Sequence, residues 1–177
     1  MHSNEKVSEI AKKIKLLIVD VDGVLTDGGI YFDDNGVEQK KFDSQDGLGI
    51  KLLQLSGIEV AVITARSTKS VAHRLKGLGV EHYYHGILDK SIALEKLIKK
   101  LSIDPSESAY VGDDVIDLPV MTRVALPIAV ANAQESVKDH ALMVTEKNGG
   151  NGAVREVCNF LLKSQDKYDD LVQSFLK

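Results

Sequence analysis

Three observations predict an α/β fold, a Rossmann-like parallel sheet with helices on both faces. Leu16 to Val19 are four consecutive apolar residues, the mark of a strand buried on both faces. Downstream, short apolar runs alternate with amphipathic helical patterns, as right-handed βαβ crossovers require. Each run then ends in polar residues, at the carboxyl ends of strands, where open α/β sheets place their sites.

The elements follow in order. Val7, Ile10, Ala11 and Ile14 are helically spaced, predicting a leading helix over residues 3–13. After the first strand, Gly28 to Phe42 lacks helical periodicity and carries Asp33-Asp34-Asn35-Gly36 between two apolar-containing arms, predicting a β-hairpin whose Asn-Gly pair supplies positive φ angles. A two-stranded ribbon is marginal alone, so this insertion is expected to dock on another subunit. Asp43 to Gly47 reads as a loop feeding a helix over 47–55, capped by Ser44 or Asp46 and closed by Gly57. Strands are predicted at 58–64, 80–85, 108–111 and 124–130, with an edge strand at 142–145. The helices between them carry Val71, Leu75 and Leu78, then Leu94, Leu97, Ile98 and Leu101, on one face each. A last helix covers 153–163, and the tail 164–177 has Tyr168, Leu171, Val172 and Phe175 at helical spacing.

Length and composition set bounds. A chain of 177 residues favours a single domain spanning 1–177, with 44% hydrophobic and 27% charged residues typical of a soluble globular protein. A net charge of -4 argues against nucleic-acid or acidic-membrane partners, so an anionic ligand must be held locally. The single Cys158 lies in an apolar helical pattern and reads as core, compatible with a reducing cytoplasm. No stretch approaches a membrane span, and Met1 to Lys13 has no signal-peptide run.

The chemistry gathers at strand ends. Asp20 and Asp22 stand at i and i+2, on one side of an extended chain and roughly 7 Å apart, just before Gly23 lets it turn. Further strand ends supply Thr64, Lys90, and Asp113 with Asp114 and Asp117. Several carboxylates around one point, without a convergent histidine set, are hard oxygen ligands suited to Mg²⁺. Phosphoryl transfer needs such charge, an aligned nucleophile and a proton donor. An aspartate can attack phosphorus, Thr64 and Lys90 can hold phosphoryl oxygens, and Asp22 can protonate the leaving oxygen and then activate water.

The order DxDGVLTD, T-x-R, Lys and GDDxxD, spread over about residues 15–145, resembles the haloacid dehalogenase superfamily of aspartate-nucleophile phosphatases. Within it, DVDGVLTDG, the hairpin, SQDGLGIKLL, AYVGDDVIDLPVM and GGNGAVREVC resemble the octulosonate 8-phosphate phosphatase branch, which serves lipopolysaccharide biosynthesis. The resemblance implies a catalytic set of Asp20 as nucleophile, Asp22 as general acid/base, and Thr64 and Lys90 on the phosphoryl group. It implies Mg²⁺ held by Asp20, the backbone carbonyl of Asp22 and Asp113, with Asp114 and Asp117 in support. Substrate contacts are implied at Asp22, Asp43, Ser44, Gln45, Asp46, Gly47, Lys51, Arg66, Arg74 and Lys90, a cationic set suited to a sugar acid phosphate. Lys51 stands where the branch usually has arginine, and Ala65 where it has glycine.

No large insertion follows the first motif, so a capless enzyme is expected. The resemblance further implies a homotetramer joined through the hairpins, with each C-terminal tail approaching a neighbour's site. Three alternatives are weaker. A nine-carbon keto-acid 9-phosphate phosphatase of the same fold has an acidic residue where this chain has Arg66. A signalling receiver domain lacks D-x-D followed by GDDxxD, and a non-catalytic oligomerisation module would not need intact Asp20 and Asp22.

Overall fold

The structure, a computed structural model, describes residues 2–176, with side chains from residue 5 onward. Strand β1 (Leu16–Val19) is followed by the short hairpin strands β2 (Tyr31–Phe32) and β3 (Glu38–Gln39). The later strands are β4 (Glu59–Ile63), β5 (His82–Tyr84), β6 (Ser108–Gly112), β7 (Leu126–Ala129) and β8 (Met143–Val144). Six of them form one sheet in the order β5-β4-β1-β6-β7-β8, every neighbouring pair parallel. The chain winds outward from β1 through β4 to β5, then returns to β6 on the other side of β1. This reversal opens a crevice at the carboxyl ends of β1 and β6.

The helices are α1 (His2–Ala11), α2 (Ser44–Leu55), α3 (Lys69–Leu78), α4 (Lys90–Leu101), α5 (Leu118–Met121), α6 (Glu135–Lys138), α7 (Ala153–Ser164) and α8 (Tyr168–Ser174). Right-handed crossovers put α2 and α3 on one face and α4, on the return path, on the other. α7 packs along α2, and α5 along α4, so both faces are covered. β1 is buried at every position, as its unbroken apolar run predicts. Cys158 is buried in α7, and burial pushes its thiol well above the usual range.

Two local expectations are corrected. In the hairpin turn, only Gly36 adopts positive φ, at +74°; Asn35 does not. The reason is Asp33, whose Oδ1 accepts the N–H groups of Asn35 at 2.9 Å and Val37 at 2.8 Å and holds a turn needing one left-handed residue. α2 begins at Ser44, three residues earlier than its periodicity suggests, because Asp43 is its cap. Asp43 Oδ1 accepts the N–H groups of Gln45 at 2.6 Å and Asp46 at 3.2 Å. The predicted tail is a helix, α8, packed on its own chain through Tyr168 and Leu171.

A second loop is pressed against the first. A Cβ on Gly149 would sit 1.6 Å from the Gly23 carbonyl oxygen, and one on Gly150 2.3 Å from the Asp27 nitrogen. The Gly150 N–H donates to Val24 C=O at 2.9 Å, tying the loop before α7 to the loop after β1. Gly149→Ala should therefore lower unfolding free energy by about 2–4 kcal/mol, measured by urea denaturation. Gly77→Ala in α3, where an added methyl meets nothing within 4 Å, should instead raise it by about 0.5–1 kcal/mol.

Candidate active site

Registers bring the site together. Val19 pairs with Val62 of β4 and Val111 of β6. Asp20, Thr64 and Asp113 therefore emerge one or two residues beyond the same level of the sheet. Asp20 still donates its N–H to Val111 C=O at 3.1 Å, after which the chain turns through Val21–Leu25 with Gly23 at φ +84°. Gly23 is also steric in origin: a Cβ there would lie 2.1 Å from Asp113 Oδ2. Asp20, Asp22, Gly28, Thr64, Ala65, Arg66, Asp113, Asp114 and Ile116 line one cavity of about 240 Å³.

Lys90, the first residue of α4, is fully buried beneath it. Its Nζ lies 2.8 Å from Asp20 Oδ1 and 2.6 Å from Asp117 Oδ1. Tyr110 donates its hydroxyl to the same Asp117 oxygen at 2.6 Å. The other oxygen of Asp117 accepts the N–H groups of Asp113 at 2.9 Å and Asp114 at 3.2 Å. Asp117 thus joins Lys90, β6 and the loop that aims Asp113. Asp114 caps that loop by accepting the Val115 N–H at 2.7 Å.

Carboxylate oxygens of Asp20, Asp113 and Asp117 lie within 4.8 Å of one another. Lys90 is the one cation paired with them among the described residues. Burial, then repulsion from Asp20 and Asp117, pushes the Asp113 carboxyl up to about 8. Burial and Asp117 also raise Asp20, against the pull of Lys90. Burial alone would lower Lys90, but Asp20 and Asp117 outweigh it and hold the ammonium above its usual value. A dense set of hard oxygens with more negative than positive charge is what a divalent cation fits, so the residues suit Mg²⁺.

The remaining predicted residues divide. Thr64 is buried, its Oγ1 accepting the Arg66 N–H at 3.2 Å. Arg66 reaches the cavity, but its Nη2 donates to both Glu38 oxygens at 2.9 Å. Asp46 does not face the cavity. It is buried with Oδ1 accepting the Arg155 N–H at 2.7 Å, capping α7, whose own cap residue Gly152 has no side chain. Burial pushes its carboxyl up to about 6. Lys51 extends toward Gly79 at the carboxyl end of α3, where helix carbonyls attract a cation, and does not line the cavity. Arg74 donates to the Asp43 carbonyl at 3.4 Å, lies over the Phe42 ring with its guanidinium carbon 6.0 Å from the centroid, and fills the space a side chain at Gly47 would need. Ser44 and Gln45 are exposed in the first turn of α2.

Sequence reasoning missed Tyr110, Glu38 and Lys40. Tyr110 is hidden in an apolar strand and reads as core, although its hydroxyl needs a buried partner. Glu38 and Lys40 stand at i and i+2, the spacing that shares one face of a strand, which was the available signal. A larger cavity, about 880 Å³, lies at the opposite end of the sheet, between α1, Gly57 and Asp104. Its acids are outside the core, and two of them are paired with lysines, Glu9 with Lys12 and Glu107 with Lys15, so it has none of the desolvated acids of the smaller one.

Residues 84–157 match the haloacid dehalogenase-like hydrolase family. The 3-deoxy-D-manno-octulosonate 8-phosphate phosphatase KdsC of Escherichia coli K12 is 51% identical over 160 residues, covering 90% of this chain and 85% of its own. The chain belongs to this phosphatase family. The crystal structure of the Moraxella catarrhalis phosphatase of the family, in complex with magnesium ion, phosphate ion and the KDO molecule, superposes with a TM-score of 0.94 at 45% identity, covering 97% of this chain and 98% of that one. The cobalt-bound Haemophilus influenzae phosphatase gives a TM-score of 0.90 at 39% identity, over 95% of this chain and 99% of that one. The parallel sheet and capless connection expected of the family are the fold observed. No described helix is long and apolar enough to cross a membrane.

The raised carboxyls carry a sign. A carboxyl whose folded value exceeds its unfolded one binds its proton more tightly when folded, so stability is lost as pH rises through the folded value. Metal-free protein should thus melt at lower temperature as pH goes from about 6 to about 8.5, through the region where Asp113 ionises, near 8. Calorimetry with chelator checks this, and millimolar Mg²⁺ should raise the melting temperature more at the higher pH.

Proposed function

We infer that the protein hydrolyses 3-deoxy-D-manno-octulosonate 8-phosphate to the free sugar acid and inorganic phosphate, as a Mg²⁺-dependent phosphoric monoester hydrolase of lipopolysaccharide biosynthesis. The observation that carries this is the buried cluster of Asp20, Asp113, Asp117 and Lys90 at the strand ends, of which Asp20 and Asp113 line one small cavity together with Asp22 and Thr64.

Asp20 is the nucleophile. Its carboxylate oxygen attacks phosphorus as the bond to the sugar oxygen breaks, giving an aspartyl-phosphate, and Asp22 donates its proton to the departing alkoxide. Asp22, now ionised, takes a proton from water, which attacks the same phosphorus and frees Asp20. Lys90 holds Asp20 in a fixed rotamer beneath the cavity, and the Thr64 hydroxyl orients the phosphoryl group. Asp20, Asp113 and the carbonyl of Asp22 would hold Mg²⁺, which when bound screens the repulsion between these carboxylates and the phosphate. Asp117 and Asp114 fix the loop that aims Asp113.

Arg66 is the first reader of the sugar acid's carboxylate, with Ser44, Gln45 and Arg74 at the adjoining end of α2. A homotetramer belongs to the same reading. Ile30, Tyr31, Phe32 and Val37 leave an exposed apolar surface on the hairpin that supports association through it. The approach of residues 164–177 to a neighbour's site, and a cytoplasmic setting, are further parts of it.

Phosphate release with Mg²⁺ should favour the eight-carbon acid 8-phosphate over the nine-carbon acid 9-phosphate and ribose 5-phosphate by roughly 100-fold in kcat/KM, about 3 kcal/mol. Equal rates would remove the substrate assignment. Asp20→Asn should cut turnover by about 10⁴-fold or more while leaving the circular dichroism spectrum unchanged; near-normal turnover would overturn the mechanism.

A further inference from the structure

The hairpin carries polar chemistry that association does not require. Lys40, one residue past β3, has its side chain only 1% exposed. Its ammonium contacts the Asp22 carboxylate and lies 2.8 Å from Glu38 Oε1. Glu38 in turn takes Arg66 on both oxygens at 2.9 Å, and Arg66 Nε faces Asp22 Oδ2 at 4.0 Å. Four side chains of alternating sign therefore close a ring, two from the hairpin, one from the loop after β1 and one from the loop after β4.

Such an arrangement is costly unless it positions something. Immobilising a lysine side chain costs about 2 kcal/mol in rotamer freedom, before desolvation. The group it fixes is Asp22, whose side chain is 27% exposed and would otherwise choose among rotamers at the cavity mouth. General acid catalysis depends on the donor being within hydrogen-bond reach of the leaving oxygen, so a wandering carboxyl loses most of its effect.

We propose that Lys40 and Glu38 are positioning residues for proton transfer: the hairpin clamps the carboxyl of Asp22 in its own chain and parks Arg66 beside it. The insertion thereby serves the reaction in cis. This rests on the reading of Asp22 as the acid/base and deepens it, because it says what aims that group.

The test uses Lys40→Met, Glu38→Gln and Lys40→Arg with two kinds of phosphate ester. Departure of a sugar alkoxide needs a proton, whereas p-nitrophenolate leaves without one. Lys40→Met should lower kcat/KM for the octulosonate 8-phosphate by about 100-fold, with KM changing by less than about threefold. For p-nitrophenyl phosphate kcat/KM should stay within about threefold of wild type, and the reaction should show a stoichiometric burst of p-nitrophenolate. The burst arises because hydrolysis of the aspartyl-phosphate still needs Asp22 as base. Glu38→Gln should show a smaller loss of the same pattern, and Lys40→Arg should recover much of it.

Equal loss on both esters, a change confined to KM, or no change would overturn the proposal. If the wild type cleaves the aryl ester and ribose 5-phosphate but not the sugar acid phosphate, the substrate reading fails and ribose 5-phosphate becomes the alkyl arm of the same test. If it cleaves neither ester, the phosphatase reading fails and the clamp with it.

Discussion

The buried ammonium of Lys90 between Asp20 and Asp117 is the constraint on which the rest of the site depends. Removing one partner of a buried pair leaves an uncompensated charge, at a cost of about 3–5 kcal/mol, so neither carboxylate nor the lysine is independently replaceable. Asp117 spends its remaining capacity on Tyr110 and on the N–H groups of Asp113 and Asp114. One carboxylate thus couples α4, β6 and the loop that bears Asp113. The cluster still has more negative than positive charge, an imbalance that suits a divalent cation better than a self-contained ion pair would.

Packing around the cluster follows from how closely backbone must approach it. Gly23 leaves room for Asp113, and Gly112 for Asp117, whose Cβ lies 2.6 Å from where a side chain on Gly112 would begin. The loop before α7 presses on the other side through Gly149. The loop after β1 is therefore held on two sides by packing that tolerates no added methyl. On a third side, the hairpin brings Lys40 and Glu38 to Asp22 and Arg66, two of the residues that line the cavity.

Much of this was legible from local pattern. The chain positions and approximate bounds of β1, β4, β6 and β7 follow from apolar runs, because a strand buried on both faces admits few polar residues. Asp20, Thr64, Lys90 and Asp113 were legible because each closes a strand or opens a helix beside one. Asp46 and Lys51 lie away from the cavity for a shared reason: both are in α2, where the side each residue faces depends on which helix packs there. Asp46 is claimed by the N-terminus of α7, more than a hundred residues away, and Lys51 by the end of α3.

By itself, the sequence determined the strand and helix order, the family, and the residue types at each strand end, since periodicity and short motifs are local and survive any arrangement of the elements. Only the tertiary structure decided which groups become partners. That Lys90 meets Asp20 and Asp117, that Asp117 holds the N–H groups of Asp113 and Asp114, and that Lys40 of the hairpin reaches Asp22 all turn on distances between segments that the local pattern does not fix. Hydrogen bonds and ion pairs fall off within a few ångströms. Strand register and loop packing, which set those distances, arise only when the sheet is assembled.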